Sequence, residues 1–360
     1  MSDVRRPGVF THLAIVILLL VAYLLLWPIH MDPESWTPPE APELAGPYAV
    51  NDKLAATTRL VDGQVRGPED VAEGPDGFVY GGLADGRIVK VAHDGSSMTD
   101  LADTEGRPLG MHFDAAGNLI VCDAYKGLLS INPDGEITVL TTEQGGKPFV
   151  FTDDVDIASD GTIYFSDASW KYHQKIYKDD ALEHRPLGRL LAYHPDTGET
   201  VLLLDNLYFA NGVALSPDES FVLVNETWKY RITRYWLTGE KKGTHDIFID
   251  NLPGFPDGVS CNGKDTFWVG IASPRDSLLD SLLPHPFLRK IVARLPNFVR
   301  PDTADYGFVL GLDVNGKVTR NLQDPTGKGF RVVTSVEEVG DRLYLGSLKD
   351  TAIGYIPTPR

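Results

Sequence analysis

Glu69, Asp153, Asn211 and Asp257 stand in matching settings within a 360-residue sequence. Each heads a short apolar run: GPEDVAEG, FTDDVDIA, FANGVALS and FPDGVSCN. Three carboxylates gathered in one confined place repel one another and resist ionising together. A hard cation removes that conflict. Ca²⁺ accepts roughly six to eight oxygen ligands in loose geometry, so carboxylates, an amide and water suit it. No His or Cys occupies these positions, which disfavours zinc. The plainer alternative is that each Asp or Asn only caps a turn. The shared register favours the cation.

That register comes from a repeat. A turn with Gly or Asp is followed by four or five β-formers and then a small or acidic residue. The instances are PDGFVYGG from Pro75, AAGNLIVCD from Ala115, SDGTIYFSD from Ser159, PDESFVLVNE from Pro217, GKDTFWVGI from Gly263 and GDRLYLGS from Gly340. The spacing is about forty to fifty-odd residues, with one longer gap. Short strands rich in Val, Ile, Phe, Tyr and Leu at that period are the mark of propeller blades. The expected fold is all-β, a six-bladed β-propeller over 48–360. The stretch YAVNDKLAATTRLVDG before the first blade is expected to add a strand to the last and close the ring. In each blade the residues upstream of the turn fall on the channel-lining strand. The six equivalent positions are then Glu69, Leu109, Asp153, Asn211, Asp257 and Thr334. Gly110 and Ser335 follow two of them.

The longest gap, residues 277–301, reads SLLDSLLPHPFLRKIVARLPNFVRP. It suggests one or two short amphipathic helices in the fifth-to-sixth blade region, broken at Pro284 and Pro286. They would form a cap, a lid, or a foot on a membrane.

The N-terminal thirty residues stand apart. Val9 to Trp27 is nearly all apolar and long enough to cross a bilayer of roughly 30 Å as a helix. Arg5 and Arg6 before it favour a cytoplasmic N-terminus. No small-x-small cleavage site follows Trp27, so residues 1–30 read as an uncleaved anchor rather than a signal peptide. Residues 31–47 are Pro-rich and acidic and read as a stiff extended linker. The propeller is then expected outside the cytoplasm, on the periplasmic side if the cell is bacterial. A net charge of −17 argues against nucleic acid as a partner. The two cysteines, Cys122 and Cys261, sit in strand-like runs and read as buried thiols rather than a disulfide.

The stretches FTDDVDIASDGTIYFSDAS, FANGVALSPDESFVLVNET, LPGFPDGV and VEEVGDRLYLGS resemble the propeller superfamily of gluconolactonases, paraoxonases and strictosidine synthases. The likeness is nearest to the strictosidine synthase-like branch that includes adipocyte plasma membrane-associated protein. This resemblance implies a catalytic Ca²⁺ held by Glu69, Asp153, Asn211 and Asp257. It also implies a possible second calcium at Asp70 and Asp154, as in paraoxonases. The chain departs from the family at Asp153-Asp154, where Asn-Asp is usual. A third carboxylate would hold the ion more tightly and weaken it as a Lewis acid. The glutamate that strictosidine synthase uses in its last blade is Thr334 here, so that condensation is not expected. The paraoxonase His of the second blade is Leu109, and His112 is expected to pack or cap a turn.

The resemblance and the donor set together imply a calcium-dependent hydrolase of lactones or esters. Water would attack a metal-polarised carbonyl, with Asp257 as base and Asp153 as second choice. Tyr125, Trp170, Tyr172, Tyr208 and Trp228 are candidates for an apolar pocket mouth suited to a hydrophobic small-molecule lactone or ester. The alternative is a non-catalytic, membrane-tethered propeller that binds a partner or lipid and uses calcium structurally.

Overall fold

A computed structural model describes residues 8–359, so Arg5 and Arg6 lie outside the described residues. Six four-stranded antiparallel sheets follow one another along the chain. Their innermost strands are Val71–Glu73, Pro108–Phe113, Thr152–Ile157, Ala210–Leu215, Gly254–Cys261 and Val333–Val339. The turn-plus-strand repeats are the second strands. These are almost wholly buried: Val79–Gly82, Leu119–Asp123 and Phe221–Glu226 expose no residue. A continuous apolar run is what a strand covered on both faces needs.

Thr58–Leu60 pairs antiparallel with Ile353–Pro357 and supplies the outer strand of the sixth sheet. The ring is therefore closed by the two ends of the domain, as the sequence suggests. Closure packs the first sheet face to face against the sixth, so no blade is left with an uncovered face, and only short strand edges remain. The core is divided into clusters between successive blades, such as Leu60, Val71, Val89, Tyr344 and Ile353 at the closing seam.

The 277–301 segment lies inside the fifth blade, between its second and third strands. It forms the helices Ser277–Leu282 and Pro286–Ala293, followed by a single turn at Asn297–Val299. Asp276 caps the first helix by accepting the Leu279 N–H at 2.7 Å. Pro286 opens the second helix rather than breaking one, because the first helical position has no N–H obligation. A helix that the repeat does not signal, Tyr177–Glu183, fills the matching gap in the third blade. These helices form a cap over one end of the channel.

Val9–Leu26 is a single helix with no buried residue and mean hydropathy 2.7, long and apolar enough to cross a membrane. The linker after it is extended but not free. Met31 is buried, Trp36 stacks on His184, and the Glu34 N–H donates to Glu183 O at 3.1 Å. Cys122 and Cys261 are both free. Cys122 is buried, whereas Cys261 is only partly so, because it faces the open end of the channel away from the cap.

Candidate active site on the channel axis

The six equivalent positions converge. Glu69, Leu109, Asp153, Asn211, Asp257 and Thr334, one from each blade, line the floor of one cavity. A backbone device aims them there. In the second to fifth blades the register between first and second strands slips at this point. Two residues then oppose one: Leu109-Gly110, Asp153-Asp154, Asn211-Gly212 and Asp257-Gly258. Such a bulge bends the strand and re-aims a side chain, here into the channel.

Neighbouring blades hold the backbone at Glu69 and around Asp257. Thr334 Oγ1 donates to Glu69 O at 2.6 Å, and Asn225 Nδ2 donates to Asp257 O at 2.5 Å. Thr227 Oγ1 donates to Pro256 O at 2.8 Å. The residue after each floor position sets the seam. A Cβ on Gly212 would lie 2.5 Å from Asp257 O, and one on Gly258 would lie 2.5 Å from Thr334 O. These glycines are required by close backbone approach.

Asp70 and Asp154 take the same place in the first and third blades and do a different job. Asp70 accepts the N–H groups of Val71 and of Met111 in the next blade, both at 2.7 Å. Asp154 accepts those of Val155 and of Val213 in the next blade, both at 2.8 Å. Both oxygens of each carboxylate are thus engaged in stitching blades together. The two residues line a second cavity on the far side of the floor, with Asp156, Glu337 and His112. His112 lies 3.8 Å from Asp156 there, away from the floor.

The electrostatics of the floor are adverse. Burial first, then Asp257, Asp153 and Asp70, push Glu69 well above the usual carboxylate range. Burial, Asp257, Asp154 and Asp167 do the same to Asp153. Burial raises Asp257 to about 7, against the opposing effect of the Asn211 amide. Among the described residues no protein donor reaches the carboxylate oxygens of Glu69 or Asp153. Arg107 is the nearby cation. It is 3 % exposed, donates to Gly67 O at 2.9 Å, and leaves Nη2 without a partner. Nothing in the repeat singles out Arg107.

Buried oxygen donors without protein partners are the donor set of a hard cation. Among the described residues no three Asp, Glu, His or Cys side chains converge tightly enough to clasp an ion as they stand. The fit is one of donor chemistry and unrelieved charge.

Above the floor the cavity is apolar, about 1070 Å³ counted to its open mouth. Phe151, Phe209, Phe255 and Trp228 form its walls, and Tyr177, Leu182 and Leu279 of the cap form its roof. Of the five aromatics expected at the mouth, only Trp228 lines the cavity. Tyr172 is buried beneath the cap against Glu183, Tyr208 packs on His184, and Tyr125 and Trp170 lie on the surface. Sequence reasoning passes over the three wall phenylalanines, although each stands two residues before a floor residue: Phe151-Thr-Asp153, Phe209-Ala-Asn211, Phe255-Pro-Asp257. Phe255 shares a strand with Asp257, whereas Phe151 and Phe209 stand just before their strands, Phe209 with a φ of 60°.

Comparison with known proteins decides the family. The strictosidine synthase profile matches residues 153–240, and the strictosidine synthase-like N-terminal profile matches 46–91. Adipocyte plasma membrane-associated protein of Homo sapiens is 37 % identical over 352 residues, covering 92 % of this chain and 84 % of that protein. The chain belongs to the strictosidine synthase-like family. Strictosidine synthase-like 6 of Arabidopsis thaliana is 38 % identical over 310 residues, covering 84 % of this chain and 82 % of its own. Among solved structures, a gluconolactonase from Xanthomonas campestris superposes with TM-score 0.61 at 18 % identity, over 93 % of this chain and 99 % of that one. A calcium-binding regucalcin from Agrobacterium tumefaciens gives TM-score 0.58 at 14 % identity, over 84 % and 91 %. At that identity the structures share the fold. This strictosidine synthase-like chain carries Thr334 in the sixth floor position, buried and hydrogen-bonded to Glu69 O.

Proposed function

We propose that this strictosidine synthase-like chain is a calcium-dependent hydrolase of apolar lactones or esters. One observation carries the reading: buried carboxylates with no protein donors form the floor of an otherwise apolar cavity. Glu69, Asp153, Asn211 and Asp257 would hold the cation. A bound Ca²⁺ supplies charge for a substrate carbonyl and the oxyanion that develops from it. Phe151, Phe209, Phe255 and Trp228 hold an acyl or aryl body by burying it, and the cap excludes water from that end. Asp257 is the partly exposed member of the floor and receives the proton of the attacking water. Asp153, more deeply buried, is second choice. Lactonase-type neighbours of the same fold support the reaction class without fixing the substrate.

The test uses the full chain in nanodiscs, stripped with chelator. A panel of lactones and aryl esters is assayed with and without Ca²⁺, and the melting temperature is read in parallel. Expected is turnover restored by calcium, a higher melting temperature with calcium, and a fall of about 10²-fold or more in Asp257→Asn with folding retained. In Glu69→Gln/Asp153→Asn the calcium-free protein should melt higher than wild type and lose the calcium response, because the repulsion is gone. A calcium-induced rise in melting temperature without turnover on any substrate would leave a calcium-stapled binding propeller. No calcium response at all would remove the cation from the account.

A further inference from the structure

We propose that the helical cap rests on the bilayer crossed by Val9–Leu26, with Ile176, Phe287, Leu288 and Phe298 at the lipid interface and the cavity mouth opening onto it. The partner is the phospholipid surface itself, whatever chemistry the floor performs.

The membrane helix is bonded to the cap at its very end. Tyr23 Oη donates to Arg294 O at 3.1 Å, and Arg294 Nε donates to Trp27 O at 2.8 Å. Tyr23 lies four residues before Trp27, about 6 Å deeper at 1.5 Å per residue. The cap backbone at Arg294 is therefore level with the last turn of the spanning helix. It cannot swing away, because the linker is clamped under the same cap. Arg289, fully buried, donates to Leu182 O at 2.8 Å and to Glu34 O, and the Trp36 N–H donates to Leu283 O at 3.3 Å.

The cap shows apolar side chains where a water-facing surface would not. Phe298 is 88 % exposed and Phe287 61 %. Lys290 and Arg294 stand among them in a chain of net charge −17. Apolar bodies with basic heads are the composition of a helix lying in a headgroup layer. Continuity with the spanning helix fixes which surface they meet.

The same segments frame the cavity. Phe298 and Val299 lead directly into Arg300–Thr303, and Ile176 leads into Tyr177 and Lys178; both stretches line the mouth. A lipophilic molecule leaving the bilayer would enter past the Lys178–Asp302 ion pair and Arg300 at the mouth.

The experiment places single fluorescent labels at Phe298→Cys, Phe287→Cys and, as reference, Val139→Cys in the full chain. Val139 is 56 % exposed on an outer strand of the second blade. The background is Cys261→Ser, since Cys122 is fully buried. In phosphatidylcholine nanodiscs, quenching by a nitroxide high on the lipid acyl chain is compared with quenching by a water-soluble nickel chelate. Expected is severalfold stronger lipid quenching at 287 and 298 than at 139, with the reverse order for the chelate. Equal behaviour at the three sites overturns the proposal. So does shielding of 287 and 298 from both quenchers, which would mean that protein covers the cap.

Discussion

Asp180, in the cap helix Tyr177–Glu183, has no exposure, accepting Trp228 Nε1–H at 2.9 Å through one oxygen and nothing through the other. Burial raises its pKa to about 7. An unfolded Asp titrates near pH ~4, so the raised value favours the protonated form in the folded state. Stability from this group is full below the unfolded pKa and falls as pH rises towards the folded one. Asp180→Asn should therefore flatten the stability profile between about pH 4 and about pH 7. The gain at the upper end should be on the order of a few kcal/mol, since a tenfold change in proton affinity is worth about 1.4 kcal/mol. Chemical denaturation at several pH values checks this; an unchanged slope would mean that Asp180 stays ionised. Asp180 is not legible from the sequence, since its burial depends on a helix that no repeat announces. Glu69, Asp153, Asn211 and Asp257 are legible, because a repeat reveals register and register reveals which side chains share a channel. The wall phenylalanines obey the same rule. They escape notice because a Phe at the head of a strand is ordinarily core.

At the scale of elements, the bulge aims the floor residues of the second to fifth blades. Its glycines are as necessary as the acids. Gly212→Ala would set a Cβ 2.5 Å from the backbone of Asp257 and 2.5 Å from Val259 N. Neither contact can yield by rotating a side chain. A loss of roughly 1–3 kcal/mol is expected, together with weaker calcium stabilisation, because the displaced residue is Asp257 itself. Calorimetry with and without calcium reads both. An unaltered melting temperature would show that the seam can open cheaply. The strands are legible from turn residues and β-formers. The cap is only half legible: 277–301 announces itself by its basic and apolar composition, whereas Tyr177–Glu183 spans about two turns and is too short for a clear helical period.

The whole molecule depends on one three-residue strand. Leu60 is 3 % exposed, pairs with Ile353, and sits in the cluster that joins the last blade to the first. Leu60→Ala should cost about 2–5 kcal/mol. Amide exchange should rise first in the first and sixth blades, where the ring would part. A uniform rise across all blades would mean that the ring unfolds as one body instead. The closing strand, the ring number and the N-terminal apolar helix are all foreshadowed by the sequence, since each is written in local composition. The docking of the linker on the cap is not, because Pro-rich acidic chain reads as spacer wherever it lies.

Glu69, Asp153 and Asn211 touch both cavities, the apolar one under the cap and the acidic one beyond. The floor is thus a plug with two faces, and the molecule has a front door and a back door. The front is mostly apolar and lies under the helical cap. The back is acidic, lined by Asp70, Asp154, Asp156 and Glu337, and lies on the other side of the floor. Traffic of ions and of organic molecules need never compete for the same passage. A cation held in the plug is expected to come and go through the rear, even while a bulky guest fills the front.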